Sequence, residues 1–273
     1  MPVFILILLL IGLAQPASAS DWNIELFSGY DAALLKTLNN QKLNETSPFP
    51  PRVGGSPSIS GGPMFGVEVE WRVRPRFSLV ALTAFFEGES TAIESGEILF
   101  QDFGITPFTA KRITRVSFNE YALKGRYHLV EEKNRYRFYL ELGFFDQVNV
   151  TYSEDFSYIF QANGQQFLRN VLSRATSRGG YLVTGGAGGD YYLTRWLALN
   201  FSANYRLGRA MPLFYKSYRH TFLEQDAISG AVGANSPFPK NGDQVSFVEG
   251  NTRRPLVMEL TGWQAAIGLR IFF

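Results

Sequence analysis

The residues of this chain whose types and spacing suit chemistry are charged side chains set two apart. Glu68, Glu70 and Arg72 alternate with Val67, Val69 and Trp71, and Glu120, Lys124 and Arg126 alternate with Tyr121, Leu123 and Tyr127. Arg137, Glu141, Arg206 and Arg270 hold the same position in further alternating runs, joined by Glu25, Asp31, Glu87 and Asp190. Successive side chains of a strand point to opposite faces, so these charges share one face and the apolar residues share the other. A buried charged face serves either as a narrow ion path or as a network whose members neutralise one another. Unpaired buried charge is too costly to persist, so pairing is expected.

Acid–base catalysis has less to work with. The two histidines are His128, beside a short turn at 131–134, and His220, in a long loop four residues before Glu224. A general base must reach the proton that it takes, and one acidic neighbour in a loop describes a solvated histidine as well as a catalytic one. There is no cysteine, which removes disulfides, thiolate metal sites and a thiol nucleophile. No catalytic residue, metal ligand or cofactor is assigned, and an enzyme is not expected.

What must position the charges is a set of strands. Of 273 residues, 45% are hydrophobic and 15% aromatic, with 26 Gly and 13 Pro, a balance that favours strands and turns over helices. A formal charge of +2 gives no general electrostatic case for nucleic acid. Residues 3–13 are an apolar run, and Ala17, Ser18 and Ala19 supply the small residues of a cleavage site. The segment 1–19 is therefore expected to be a secretory signal peptide and 20–273 the mature barrel domain, although no Lys or Arg precedes the run.

Eight alternating segments follow, at about 22–36, 65–74, 77–88, 113–130, 135–147, 178–194, 197–207 and 258–273. Long connections at 37–62, 89–112, 152–177 and 209–257 alternate strictly with turns of two to four residues. That order predicts an all-β protein, an eight-stranded antiparallel up-and-down transmembrane β-barrel with four long extracellular loops and three short periplasmic turns. The apolar set, which includes Val80, Leu82, Ala84 and Phe86, is too bulky for so narrow a lumen and is expected to face lipid. The same narrowness favours a charge plug over an ion path. Near Asn119 the parity slips, because Val116 and Phe118 share the charged register, which predicts a bulge or a strand end above the membrane. Phe167, Leu168, Val171 and Leu172 have helical spacing and predict a short helix at the barrel mouth. Gly185, Gly186, Gly188 and Gly189 leave room for large side chains from other strands.

The whole mature chain resembles the small eight-stranded outer-membrane barrels, the superfamily of the OmpA transmembrane domain, OmpX and OmpW. Its last residues carry the motif that such proteins show to the barrel-assembly machinery, here Gly268, Ile271 and Phe273, with Ala266 where a polar residue is usual. The resemblance implies insertion by that machinery, and contact with outer-membrane lipid and lipopolysaccharide. A monomer is expected, and no peptidoglycan-binding domain follows Phe273. Arg209, Lys216, Arg219, Arg253 and Arg254 are candidates to meet lipopolysaccharide phosphates, since an outer rim faces an anionic headgroup layer. Loop aromatics such as Phe156, Tyr158, Phe160, Tyr215 and Tyr218 would cap the barrel, gate a lateral route for small apolar solutes as the OmpW likeness implies, or meet an extracellular partner. Lipid A-modifying enzymes on this scaffold use a His with a Ser near the outer rim, whereas His128 lies at the other end with no Ser in a His-x-Ser spacing. The expected role is structural or surface-interacting, through the extracellular loops.

Overall fold

The computed structural model describes residues 22–33, 35, 38, 58–100, 104–132, 135–162, 165–177, 179–223, 239–249 and 252–273. The expected signal peptide at 1–19, most of the connection at 37–57 and Glu224 lie outside the described residues.

Twelve strands run in chain order as β1 (Trp22–Ala33), β2 (Gly62–Arg74), β3 (Phe77–Phe100), β4 (Gly104–Glu132), β5 (Tyr136–Ala162), β6 (Gln165–Ser177), β7 (Gly180–Tyr192), β8 (Leu197–Ala210), β9 (Leu213–Leu223), β10 (Ser246–Glu249), β11 (Thr252–Pro255) and β12 (Gly262–Phe272). Eight of them close on themselves. β1 pairs with β2, pairing passes through β3, β4, β5, β7 and β8 to β12, and β12 returns to β1 from Ala33↔Gly262 to Asn23↔Phe272. Every pairing is antiparallel, and the closed ring leaves no edge of unpaired backbone along its wall.

Three of these strands, β3, β4 and β5, are much longer than the alternation of their lower halves implied. The expected loop at 89–112 is a hairpin, because β3 and β4 pair without interruption from Phe77↔Tyr127 to Phe100↔Gly104. Gly104 starts β4 with φ at 72°, the left-handed region that glycine occupies at no steric cost. The expected loop at 152–177 is likewise strand: β5 parts from β7 above Gln147↔Tyr181, continues against β6, and β6 pairs with β9. Phe167, Leu168, Val171 and Leu172 therefore lie in β6 and not in a helix. Ring pairs such as Phe160 with Phe167, centroids 4.9 Å apart, hold the hairpin together across the strands. Part of the expected loop at 209–257 is β9 together with the β10–β11 hairpin.

The parity slip also has a different cause from the one expected. β4 keeps one register past Asn119, and Val116, Phe118, Glu120, Ala122, Lys124 and Arg126 all point inward and are buried. The bulge sits in β5, where Leu123 pairs with Phe145 and Lys124 with Gly143. On β3 the inward face is Val80, Leu82, Ala84 and Phe86, so these four do not face lipid and Glu87, on the other parity, is exposed outside the lumen.

The interior consequently has two layers. Toward the short turns it is charged. Toward the hairpins it is an apolar core that includes Leu35, Ile59, Phe86, Val116, Phe118, Val148, Val150, Leu213, Leu256 and Met258.

Candidate functional site

Arg126, on β4, is the centre of the charged layer. Its guanidinium donates to Glu68 at 2.7 Å, Glu70 at 2.9 Å and Glu141 at 2.7 Å, three carboxylates contributed by β2 and β5. Lys124, one inward position away, donates to Glu141 at 3.1 Å and Glu68 at 3.5 Å. Arg137 donates to Asp190 at 2.6 Å and Glu70 at 3.1 Å. Arg270 closes the group from β12, with Asp190 at 2.8 Å and a short contact to Glu25. Each strand can deliver its charge here because alternation sends every second side chain to the axis and an eight-stranded lumen is about as wide as its own side chains.

Tyr139 stands among these groups. The Arg126 guanidinium carbon lies 4.0 Å from its ring centroid and that of Arg270 5.5 Å, while its hydroxyl accepts from Asn200 at 2.8 Å. The glycines of β7 make the space: a Cβ on Gly188 would collide with the Tyr139 hydroxyl, and one on Gly186 with the side chain of Asn204. A second, smaller cluster lies beneath the apolar core. Arg206 reaches Asp31 at 2.8 Å and Glu120 at 2.9 Å, donates to the Leu260 carbonyl at 2.8 Å, and lies 4.8 Å from the Phe118 ring. Gln264 donates to Asp31 at 3.1 Å and Glu120 at 3.3 Å.

Nine of the ten residues expected to line the lumen network fall into these two clusters: Glu68, Glu70, Glu120, Lys124, Arg126, Arg137, Glu141, Arg206 and Arg270. All nine are buried. Arg72 stands apart at the lower rim, partly exposed, where it pairs with Glu131 at 3.0 Å. Asn200, Gln264 and Tyr139 share the inward parity in the sequence, but being uncharged they gave no sign of joining the network.

His128 has company that its sequence neighbourhood does not reveal. Ser78 Oγ lies 2.7 Å from its Nε2 and Glu70 Oε1 3.2 Å from the same nitrogen, while Nδ1 is buried without a partner. A serine relay needs the hydroxyl and the acid on opposite ring nitrogens. Here both crowd one nitrogen, all three residues are buried, and the arrangement is a structural hydrogen-bond set. The backbone of His220, in β9, pairs with Val171 of β6.

Of the candidates for lipopolysaccharide, Arg209 ends β8 as an exposed residue whose backbone bridges to Glu259, Lys216 and Arg219 are exposed on β9, and Arg254 is exposed on β11 beside Arg253. In the terminal motif, Gly268 is buried with the Glu25 carboxylate where its side chain would be, a packing reason for glycine at that position. Ile271 and Phe273 face outward, and Phe273 is 57% exposed.

The outer surface decides the environment. Around the ring it presents Leu26, Phe65, Leu142, Val183, Phe201 and Trp263, all more than half exposed, an apolar area far beyond what a monomer shows to water. Trp22 stacks on Trp71 at 5.5 Å at one rim, and Tyr205 packs on Trp263 at 4.9 Å toward the other, as in the aromatic girdles of membrane barrels. The chain is a closed transmembrane β-barrel.

Several solved structures are similar to this one. The structure is similar to the outer membrane protein OprG from Pseudomonas aeruginosa, at 12% identity over 93% of this chain and 96% of that one, with a TM-score of 0.45. It is also similar to the N-terminal β-barrel domain of Pseudomonas aeruginosa OprF, at 9% identity over 94% of this chain and 100% of that one, with a TM-score of 0.35. The outer membrane protease OmpT from Escherichia coli is matched at 9% identity over 94% of this chain and 99% of that one, with a TM-score of 0.29. No family model and no curated relative matches the chain. The fold rests on the closed strand ring itself.

Proposed function

We propose that the protein is an outer-membrane barrel with a plugged lumen, acting through the strand extension and loops that stand beyond the ring. Its leader would be 1–19, its barrel domain 20–273, and its terminal Gly268, Ile271 and Phe273 would be shown to the assembly machinery. The observation that carries the plug is that the charges across the lumen are spent on one another, around a residual cavity of only about 20 Å³, roughly the room for one water. The apolar layer above it adds a second barrier. The extension, built from the upper parts of β3, β4, β5, β6 and β9, is the larger surface left for an interaction. Arg209, Lys216, Arg219, Arg253 and Arg254 would meet lipopolysaccharide phosphates at its base, and an extracellular partner remains the second element of this reading.

Protease treatment of intact cells tests the orientation. Cleavage within 89–115 or 152–177, leaving a membrane-held barrel fragment, is expected. Cleavage at those sites only after the outer membrane is permeabilised would reverse the topology and remove the surface role. A second reading, a narrow channel or carrier of small apolar solutes, is favoured by one observation: the upper interior is lined by Phe86, Val116, Phe118, Val148 and Val150. Faster entry of a small apolar dye into vesicles carrying the protein would support it.

A further inference from the structure

The lumen charges do not balance. Among the described residues, seven buried carboxylates of the ring (Glu25, Asp31, Glu68, Glu70, Glu120, Glu141 and Asp190) face five buried permanent cations (Lys124, Arg126, Arg137, Arg206 and Arg270), a formal excess of two negative charges; the sixth buried cation, Arg112, pairs with Glu154 in the strand extension. His128 can supply one positive charge, but it lies against Glu70 in the lower cluster. In the upper cluster Arg206 is shared between two carboxylates, Asp31 and Glu120.

A free oxygen marks the place where the missing charge belongs. Glu120 is 1% exposed, one carboxylate oxygen is held by Arg206 and Gln264, and the other, Oε1, is buried with no hydrogen-bond partner. Asn204 Oδ1 is a second buried acceptor without a partner. Both residues line the cavity of about 20 Å³, with Ser202 and Gln264 supplying further oxygens and Glu25, Glu68 and Lys124 on its lower side. Lys124 spends its ammonium on Glu141 and Glu68. An orphaned carboxylate oxygen in a buried, net-negative site costs several kcal/mol unless something cationic meets it. Carboxylate, amide and hydroxyl oxygens with no thiolate or imidazole suit a hard cation, the described residues contain no group of three acidic or soft ligands able to hold a divalent metal, and the space admits one ion.

We propose that this cavity binds one small monovalent cation of the sodium class, held by Glu120 Oε1 and Asn204 Oδ1 and completing the lumen plug. The proposal rests on the plugged-lumen reading. An ion that binds only the folded barrel raises its stability in proportion to the logarithm of its concentration above Kd. Thermal unfolding of the full barrel in detergent, followed by heat-modifiable gel migration, is therefore measured in sodium chloride against N-methylglucamine chloride at equal ionic strength. The expected result is a Tm that keeps rising with the logarithm of sodium concentration above Kd, a rise absent in Glu120→Gln and in Asn204→Leu, with ²³Na line broadening present for the wild type only. Equal Tm in the two salts overturns the proposal, as does a sodium response that survives Glu120→Gln. A stability set by pH alone, with no sodium dependence, also overturns it, since the counter-charge is then a proton. If Glu120→Gln does not fold, Asn204→Leu carries the same comparison. A sealed barrel without a sodium response removes the ion and leaves the plug, whereas open conductance removes the plug itself.

Discussion

Arg126 satisfies three carboxylates at once, so its side chain is where the charged layer is most vulnerable. Replacing it with Met leaves Glu68, Glu70 and Glu141 short of a donor in a buried site, and breaking such a network from one side costs about 3–5 kcal/mol. Urea unfolding of the refolded barrel should show a loss of that size for Arg126→Met, and a variant as stable as wild type would mean that water, not protein, compensates these charges. Gly188→Val is expected to unseat Tyr139, because the valine would occupy the position of the Tyr139 hydroxyl; a lowered Tm and altered near-ultraviolet circular dichroism check it. The inward facing of these charges was legible in the sequence, since alternation fixes parity. Their partners were not. Arg206 meets Glu120 across 86 positions and Gln264 meets Asp31 across 233, and parity says nothing of how high on the stagger of the barrel each side chain sits. Ser78 beside His128 was hidden for the same reason.

The strands carry the second lesson. Alternation in sequence reveals a strand only where one face is apolar, which is why the lower halves of β3, β4 and β5 were read correctly and their upper parts were taken for loops. In the upper part of the β3–β4 hairpin neither strand sets an apolar face against a polar one: on β3 Glu89, Thr91 and Ile93 on one parity and Ser90 and Ala92 on the other are all exposed or half-buried, and on β4 the buried parity is Thr106, Ala110, Arg112 and Thr114. No contrast remains to be read. The opposite error arose on β3, where Val80, Leu82 and Phe86 look lipid-facing by hydropathy but fill the lumen. Two outcomes follow at this scale. Deleting residues 90–114 and joining the strand ends by a short turn removes pairing that lies above the ring, so heat-modifiable migration should persist; its loss would show that the extension is needed for closure. Ile267→Arg puts a charge on the outer face midway along β12, where Ile267 is 48% exposed, and should cost about 2–4 kcal/mol in lipid vesicles. A neutral effect there would place that face in water.

For the molecule as a whole, ring closure, apolar exterior and layered interior fit together only in a bilayer. The ring satisfies the backbone, the outer residues meet lipid, and the charges, which lipid would exclude, gather into ion pairs inside. The strict alternation of long and short connections made this architecture legible from the chain alone. The apolar upper lumen was not, because Val148 and Val150 share the parity of the outward Leu140 and Leu142 until the bulge in β5 is known, and the inward parity of Val116 and Phe118 looked like a slip in register. Under the proposed function both layers close the same passage and nothing flows through it. Single-channel recording of the purified barrel in a planar bilayer tests this most directly: insertion without a sustained conductance step is expected, and a stable, open, porin-sized conductance would contradict the plugged lumen.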